Sequence, residues 1–160
     1  MLFRSFTAYP IWTSLFAPGE TIVFTFRRPT GEVVASLGKV LGDRSTLYKY
    51  LNPHLVGYVT RAEGVEGHPA TCGVYLIDGA KGTIIYHSVI PAARGACDVQ
   101  VAFTENWLVY FYYDDEVVSA AQAKGHRVVS VELYEGSGVN DKTKRFESFL
   151  FLPGFPLAKD

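Results

Sequence analysis

The sequence predicts an all-β protein that forms part of a β-propeller, with about two to three four-stranded antiparallel blades of the quinoprotein-like type. The first observation is that short β-branched and aromatic runs recur along the chain and are separated by turns that contain Gly. The second is a repeat. Leu55-Val56 is followed 53 positions later by Leu108-Val109, and Asp78-Gly79 is followed 57 positions later by Glu135-Gly136. This unit is slightly longer than the ~40–50 residues of an ordinary propeller blade.

The strands are predicted as antiparallel pairs that are joined by turn-forming residues. In chain order, the predicted pairs are residues 21–26 with 32–37, 44–51 with 55–60, 73–77 with 83–87, and 98–103 with 107–113. A later strand at residues 128–134 turns at residues 135–138, and residues 146–152 can start one more strand that Pro153 stops. Residues 116–124 have a helix-friendly composition between two strands, and we predict a long hairpin loop with one helical turn there.

The strand at residues 107–113 favours a propeller over the main alternative, a β-sandwich. It is apolar or aromatic on both faces, which is typical of a sheet stacked between two neighbours. Because propellers close with about four to eight blades, we expect residues 1–160 to be one region of a larger propeller. We place the blade boundaries near residues 42 and 97. Such a fragment on its own would leave a stacking face exposed.

Composition excludes several classes of function. The formal net charge of −1 gives the chain no overall attraction to nucleic acid. No apolar run approaches the ~18 residues of a membrane-spanning helix, and residues 1–6 do not form a secretory signal. Cys72 and Cys97 are the two cysteines. They could pair in an oxidising compartment or remain free in the cytosol, and the sequence leaves both alternatives open.

The residues that could carry chemistry do not form a recognisable site. The metal-ligating candidates are scattered over different strands and loops: His54, His68, His87 and His126 with the two cysteines. Ser45 and Ser88 lack the local signature of a catalytic nucleophile. We therefore predict no catalytic residues, no metal and no cofactor. The hairpin at residues 75–85 resembles quinoprotein propeller repeats, in which the equivalents of Asp78 and Gly82 shape a turn.

The most informative run is residues 42–53, which begins and ends with turn-forming residues and has a strand between them. Alternation places Tyr48 and Tyr50 on one face of that strand and Lys49 on the other. Asp43 and Arg44 follow Gly42, and we interpret them as a pair that locks the turn in preference to a partner-binding pair. The candidate structural or interaction residues are Asp43, Arg44, Tyr48, Lys49 and Tyr50.

Four sequence blocks, at residues 42–53, 76–82, 105–107 and 131–136, occur in the order found in one known family. Together they resemble the C-terminal lumenal region of the largest subunit, subunit 1, of the endoplasmic-reticulum (ER) membrane protein complex. The resemblance covers residues 12–136. It implies a non-enzymatic scaffold on the lumenal side of the ER membrane complex, without a cofactor. It also implies a role in the insertion and folding of tail-anchored and multi-pass membrane proteins.

The partners that the resemblance implies are the other subunits of that complex and lumenal parts of client membrane proteins. Two alternatives remain beside this scaffold. One is a fragment of a quinoprotein-like propeller enzyme, which would need a complete ring and a charged central pocket. The other is an autonomous small protein-binding β domain.

Overall fold

The computed structural model describes residues 7–64, 69–115, 124–136 and 149–153. Within these residues the protein is built from strands, together with a 3-10 turn at Ala93–Gly95. The strands are β1 (Glu20–Arg27), β2 (Gly38–Val40), β3 (Thr46–Tyr48), β4 (Leu55–Ala62), β5 (Thr71–Asp78), β6 (Ile84–Pro91), β7 (Gln100–Thr104), β8 (Trp107–Asp114), β9 (Gly125–Glu135) and β10 (Phe149–Pro153). The predicted all-β class is confirmed. No helix in this described part is long and apolar enough to cross a membrane.

The strands form two four-stranded antiparallel sheets and one two-stranded hairpin. Sheet 1 has the order β1-β4-β5-β6, and sheet 2 has the order β7-β8-β9-β10. Neighbouring strands follow one another along the chain, except that the β2–β3 hairpin is inserted between β1 and β4. Each sheet therefore has the four-stranded antiparallel form of a propeller blade.

The first two predicted strand pairs are wrong. β1 pairs with β4, with Phe26 opposite Gly57, and residues 32–37 form no strand. β3 pairs back with β2, with Gly38 opposite Tyr48. The chain after β1 does not return alongside it. Glu32 instead lies at the β7–β8 turn, where it accepts hydrogen bonds from Thr104 Oγ1 and from the Glu105 backbone N–H (2.8 Å).

The later pairs are confirmed. β5 pairs with β6, and β7 pairs with β8, at the predicted positions. The predicted strand near the C-terminus is β10, which pairs with β9 as the fourth strand of sheet 2 and ends at Pro153. The predicted loop with a helical turn falls mostly on residues 116–123, outside the described residues.

The core lies between the two sheets. Leu76 of sheet 1 and Leu108 of sheet 2 are both fully buried within one apolar cluster. The Phe26 and Phe103 rings meet edge to face at 6.3 Å, where β1 lies beside β7. The Tyr86 and Tyr110 hydroxyls lie 2.8 Å apart. The sheets therefore pack face to face, which is how adjacent propeller blades pack.

A disulfide bond joins Cys72 and Cys97, whose Cα atoms are 5.7 Å apart. Cys72 lies in β5 of sheet 1, and Cys97 lies in the segment that leads into β7 of sheet 2. The bond therefore ties the two sheets together at the point where the chain passes from one to the other. The sequence left open whether the two cysteines are paired or free, and the structure shows that they are paired.

Candidate interaction surface

The turn at the tip of the β2–β3 hairpin is closed by Asp43. Its Oδ1 accepts hydrogen bonds from the Ser45 backbone N–H (2.9 Å) and from Ser45 Oγ (2.6 Å), and these bonds hold the pKa of Asp43 below its ordinary value. Arg44 has a φ of +69°, in the left-handed region, and its backbone N–H donates to Leu41 O at 3.0 Å. Both residues thus shape the turn, and a contact with a partner stays a prediction.

One face of the hairpin is apolar and exposed. Tyr48 is 48% exposed, and it lies on the same face as Val40, which is 71% exposed. We call Val40 and Tyr48 the hairpin surface. Two exposed apolar side chains on one face of a hairpin are a candidate contact for another protein.

Lys49 and Tyr50 do not belong to this surface, and the predicted shared face of Tyr48 and Tyr50 is wrong. β3 ends at Tyr48, because the backbone then crosses to sheet 2: Lys49 bridges to Tyr134, and the Tyr50 N–H donates to Leu133 O at 3.0 Å. The Lys49 ammonium pairs with the Glu105 carboxylate. Tyr50 is buried, which raises the pKa of its phenol. Both side chains hold the hairpin to the sheets.

Asn52 connects the same segment to sheet 1. Its Nδ2 donates to Asp78 Oδ2 (2.9 Å) and to the Tyr50 hydroxyl (3.2 Å), and its Oδ1 accepts from the His54 backbone N–H (2.9 Å). Asp78 is only 3% exposed, and its Oδ1 also accepts from the Ala80 N–H at 2.9 Å. Asp78 therefore shapes the β5–β6 turn, as expected, and also anchors residue 52.

Asn106 joins the β7–β8 turn to β9 within sheet 2. It is fully buried in the β7–β8 turn, where its Nδ2 donates to Leu133 O at 3.0 Å. The Leu133 N–H donates to Asn106 O at 2.8 Å. The four sequence blocks that were recognised together thus meet in space. We call this set of residues the junction: Lys49, Tyr50, Asn52, Asp78, Glu105, Asn106 and Leu133.

Arg28 is a contributor that sequence reasoning missed. Its guanidinium donates to Asn52 O and lies 5.7 Å from the centre of the Phe103 ring. Glu32, which is bonded to Thr104 and Glu105, was missed in the same way. No local pattern could have identified either residue, because their partners lie in other elements, far along the chain.

Comparison with known proteins identifies the family. The family model described as "ER membrane protein complex subunit 1, second beta-propeller" matches residues 2–153. The chain belongs to this family. It is 43% identical to ER membrane protein complex subunit 1 of Xenopus laevis over 130 residues, which are 79% of this chain and 12% of that protein. The predicted resemblance and the predicted propeller fold are both confirmed.

Two fungal members of the family are similar to nearly the same length of this chain. Subunit 1 of Schizosaccharomyces pombe is 35% identical over 131 residues, covering 82% of this chain and 14% of that protein. Subunit 1 of Saccharomyces cerevisiae is 36% identical over 132 residues, covering 81% of this chain and 16% of that protein. The chain therefore spans a small part of the length of the curated subunit 1 proteins that it matches.

Several of the metal and nucleophile candidates have other contacts in this chain. Cys72 and Cys97 are joined to each other, so neither thiolate is available to a metal. His87 stacks on Tyr75 at 4.1 Å, His126 stacks on Phe111 at 4.8 Å, and Ser45 Oγ donates to Asp43. His68 lies outside the described residues. In the part of the chain that the structure describes, no three His, Cys, Asp or Glu residues are grouped to hold a metal ion.

Removing the Asn52 side chain should destabilise the junction. In Asn52→Ala, the buried Asp78 carboxylate loses a donor, and we expect the free energy of unfolding to fall by about 2 kcal/mol. Urea unfolding followed by circular dichroism measures this loss. His54→Ala is the matched control, because the exposed His54 uses only its backbone atoms there. Equal stabilities for the two variants would contradict the assigned role of Asn52.

Buried tyrosines should make the fold sensitive to alkali. Burial raises the pKa of Tyr75 to about 12 from an ordinary 10.0, and so does the Glu20 carboxylate, which accepts a hydrogen bond from the Tyr75 hydroxyl at 3.1 Å. Between pH 10 and 12 the unfolded chain loses this proton while the folded chain keeps it, so stability falls as pH rises. The melting temperature of Tyr75→Phe should fall less over this range than that of the unaltered chain. Tyr9→Phe, at a 79% exposed position, is the control, and its melting temperature should fall over this range as much as that of the unaltered chain. Identical curves for all three would contradict the shift.

Proposed function

We propose that this chain is a non-enzymatic scaffold segment of the ER membrane protein complex. The observation that carries the proposal is the junction. The four sequence blocks that resemble the subunit 1 family supply the side chains that fasten the segment after the β2–β3 hairpin to both sheets, and that join the β7–β8 turn to β9. Contacts that fix the hairpin and the sheets relative to one another suit a scaffold, because a rigid surface binds its partners at a lower entropic cost.

The disulfide supports a place on the lumenal side of the ER membrane. Structural disulfides form and persist in the oxidising ER lumen and are rare in the cytosol. The Cys72–Cys97 bond lies inside the packed structure, with Cys72 fully buried. A buried bond of this kind serves the fold, in contrast to the exposed disulfides that are used for redox exchange.

The hairpin surface is the part of the scaffold that we assign to partner contact. Its partners would be other subunits of the ER membrane protein complex or lumenal parts of client membrane proteins. Through such contacts the segment would support the insertion and folding of tail-anchored and multi-pass membrane proteins. We further propose that sheets 1 and 2 are two blades of a larger ring, because propellers close with about four or more blades.

Glycosylation tests the lumenal side. Asp43→Asn places an Asn two positions before Ser45, which creates an Asn-x-Ser sequon in an exposed turn. Introduced into the gene in its native cell, this variant should gain a glycan that a glycosidase removes. Asp43→Gln is the matched control without a sequon. A variant that is expressed and folded but carries no glycan would place this turn on the cytosolic side.

Co-purification tests membership of the complex. A tagged native protein should recover the other subunits of the ER membrane protein complex from detergent-solubilised membranes, and Tyr48→Asp with Val40→Asp should recover less of them. Lys81→Asp, in the β5–β6 turn, is a control on a different surface. Purification without those subunits would contradict the scaffold assignment. Absorbance of a bound quinone in the purified protein would favour the enzyme alternative.

A further inference from the structure

A groove of about 420 Å³ lies where β1 ends and the chain turns towards the hairpin. It is lined by Arg27, Arg28, Glu32, Val34, Leu51 and Pro53, among others. We propose that this groove binds an extended apolar segment of a partner protein that carries one acidic side chain. The proposal does not rest on the scaffold function, since the groove and the hairpin surface are formed by different residues.

The charge of the groove favours an acidic ligand. Arg27 is exposed at the end of β1, where its backbone pairs with Val56, and its side chain has no ion-pair or hydrogen-bond partner among the described residues. Glu32 is the acidic residue of the lining, but both of its carboxylate oxygens are already engaged, by Thr104 Oγ1 and by the Glu105 N–H. Two guanidinium groups therefore share one carboxylate, which acts on the charge of Arg28, and one positive charge of the lining is left unmatched. A ligand carboxylate can supply the missing counter-charge.

Arg28 is already fixed in position before a ligand arrives. Its Nη2 donates to Asn52 O, and the guanidinium lies over the Phe103 ring at 5.7 Å. Burial lowers the pKa of Arg28 below its ordinary value, although the Glu32 carboxylate acts in the opposite direction, and the charged guanidinium is therefore only partly solvated. A pre-positioned, poorly solvated guanidinium loses less water and less side-chain freedom on binding a carboxylate.

The rest of the lining suits a peptide. Val34, Leu51 and Pro53 form an apolar wall beside the two arginines. The volume lies within the range of ligand pockets, about 300–1,000 Å³, and holds a few side chains. The arginines would take the carboxylate, and the apolar wall would take the side chains on either side of it.

Nuclear magnetic resonance titration of the ¹⁵N-labelled chain tests the proposal with two capped peptides, Ac-Ala-Leu-Asp-Leu-Ala-NH₂ and the same peptide with Asn in place of Asp. The Asp peptide should shift the backbone amides of residues 27–28, 30–34 and 51–52 in a saturable way. The Asn peptide should bind about tenfold more weakly, because it cannot form the charged pair. Raising the salt concentration should weaken binding of the Asp peptide towards that of the Asn peptide.

Arg27→Gln should weaken binding of the Asp peptide about tenfold and leave the fold intact, because Arg27 is exposed. Arg44→Gln removes an arginine from the hairpin turn and should leave binding unchanged. Three outcomes would overturn the proposal: no saturable shift, equal affinity for the two peptides, or equal binding by Arg27→Gln and the unaltered chain. Binding of free acetate as tight as that of the Asp peptide would also overturn it, because the apolar wall would then contribute nothing.

Discussion

Replacing Cys72 and Cys97 together by alanine is expected to lower the free energy of unfolding by about 3.5 kcal/mol. The bond closes a loop between residues separated by 25 positions, and the estimate follows from the chain entropy that such a loop removes from the unfolded state. Cys72 is fully buried at the inner face of sheet 1, so the lost bond also leaves imperfect packing. The melting temperature should fall on the order of 10 °C.

Urea unfolding, followed by circular dichroism with and without a reducing agent, measures this effect. The reducing agent should destabilise the unaltered chain and have no effect on the double variant, which separates loss of the bond from loss of side-chain volume. A double variant as stable as the oxidised chain would contradict the role of the disulfide as a link between the sheets. So would an unaltered chain whose stability does not respond to reduction.

Gly57→Ala is expected to destabilise the fold by about 2 to 3 kcal/mol. A Cβ atom at residue 57 would lie 2.1 Å from the Phe26 ring, a distance that real contacts do not reach. The ring cannot move away freely, because Phe26 is opposite Gly57 in the β1–β4 pair and packs edge to face on Phe103 of sheet 2. The substitution therefore disturbs the contact between the two sheets at their closest strands.

Gly42→Ala provides the matched control. A Cβ atom at residue 42 would meet no atom within 4 Å, so this variant should keep its stability or gain slightly through a less flexible unfolded chain. Thermal unfolding of both variants at one pH gives the comparison. Combining Gly57→Ala with Phe26→Leu should recover part of the loss, because the smaller side chain leaves room for the methyl group. Equal melting temperatures for Gly57→Ala and Gly42→Ala would refute the packing argument.

Much of the hairpin turn could be predicted from the sequence. Asp43 bonds to a residue two positions away, so its function depends on a short stretch of chain that the pattern contains. The same holds for the β5–β6 and β7–β8 hairpins, whose strands are joined by short turns. The failure at residues 32–37 has the opposite cause. There, β1 pairs with β4, and Glu32 accepts a hydrogen bond from the Glu105 N–H, so both contacts join segments that are distant in the sequence.

In the candidate site, too, local features could be predicted from the sequence and contacts between distant segments could not. Tyr48 could be identified as a strand residue, but the exposure of Tyr48 and the burial of Tyr50 could not be predicted, because alternation predicts one face for both. The change occurs at Lys49, where the backbone leaves its hairpin partner and bridges to Tyr134. Arg27 and Arg28 carry no recognisable motif, and their groove exists only where the end of β1 meets residues 51–53.

The sequence by itself determined the all-β class, the local turns and the family, because hydrophobic alternation, turn chemistry and the four blocks are properties of short stretches of chain. The tertiary structure alone decided the partner of β1, the pairing of Cys72 with Cys97, and the meeting of the four blocks in one junction. Lys49 and Glu105 are 56 positions apart, and Asn52 and Asp78 are 26 positions apart. Such contacts form only when sheet packing brings distant segments together, and no local period of the sequence records them.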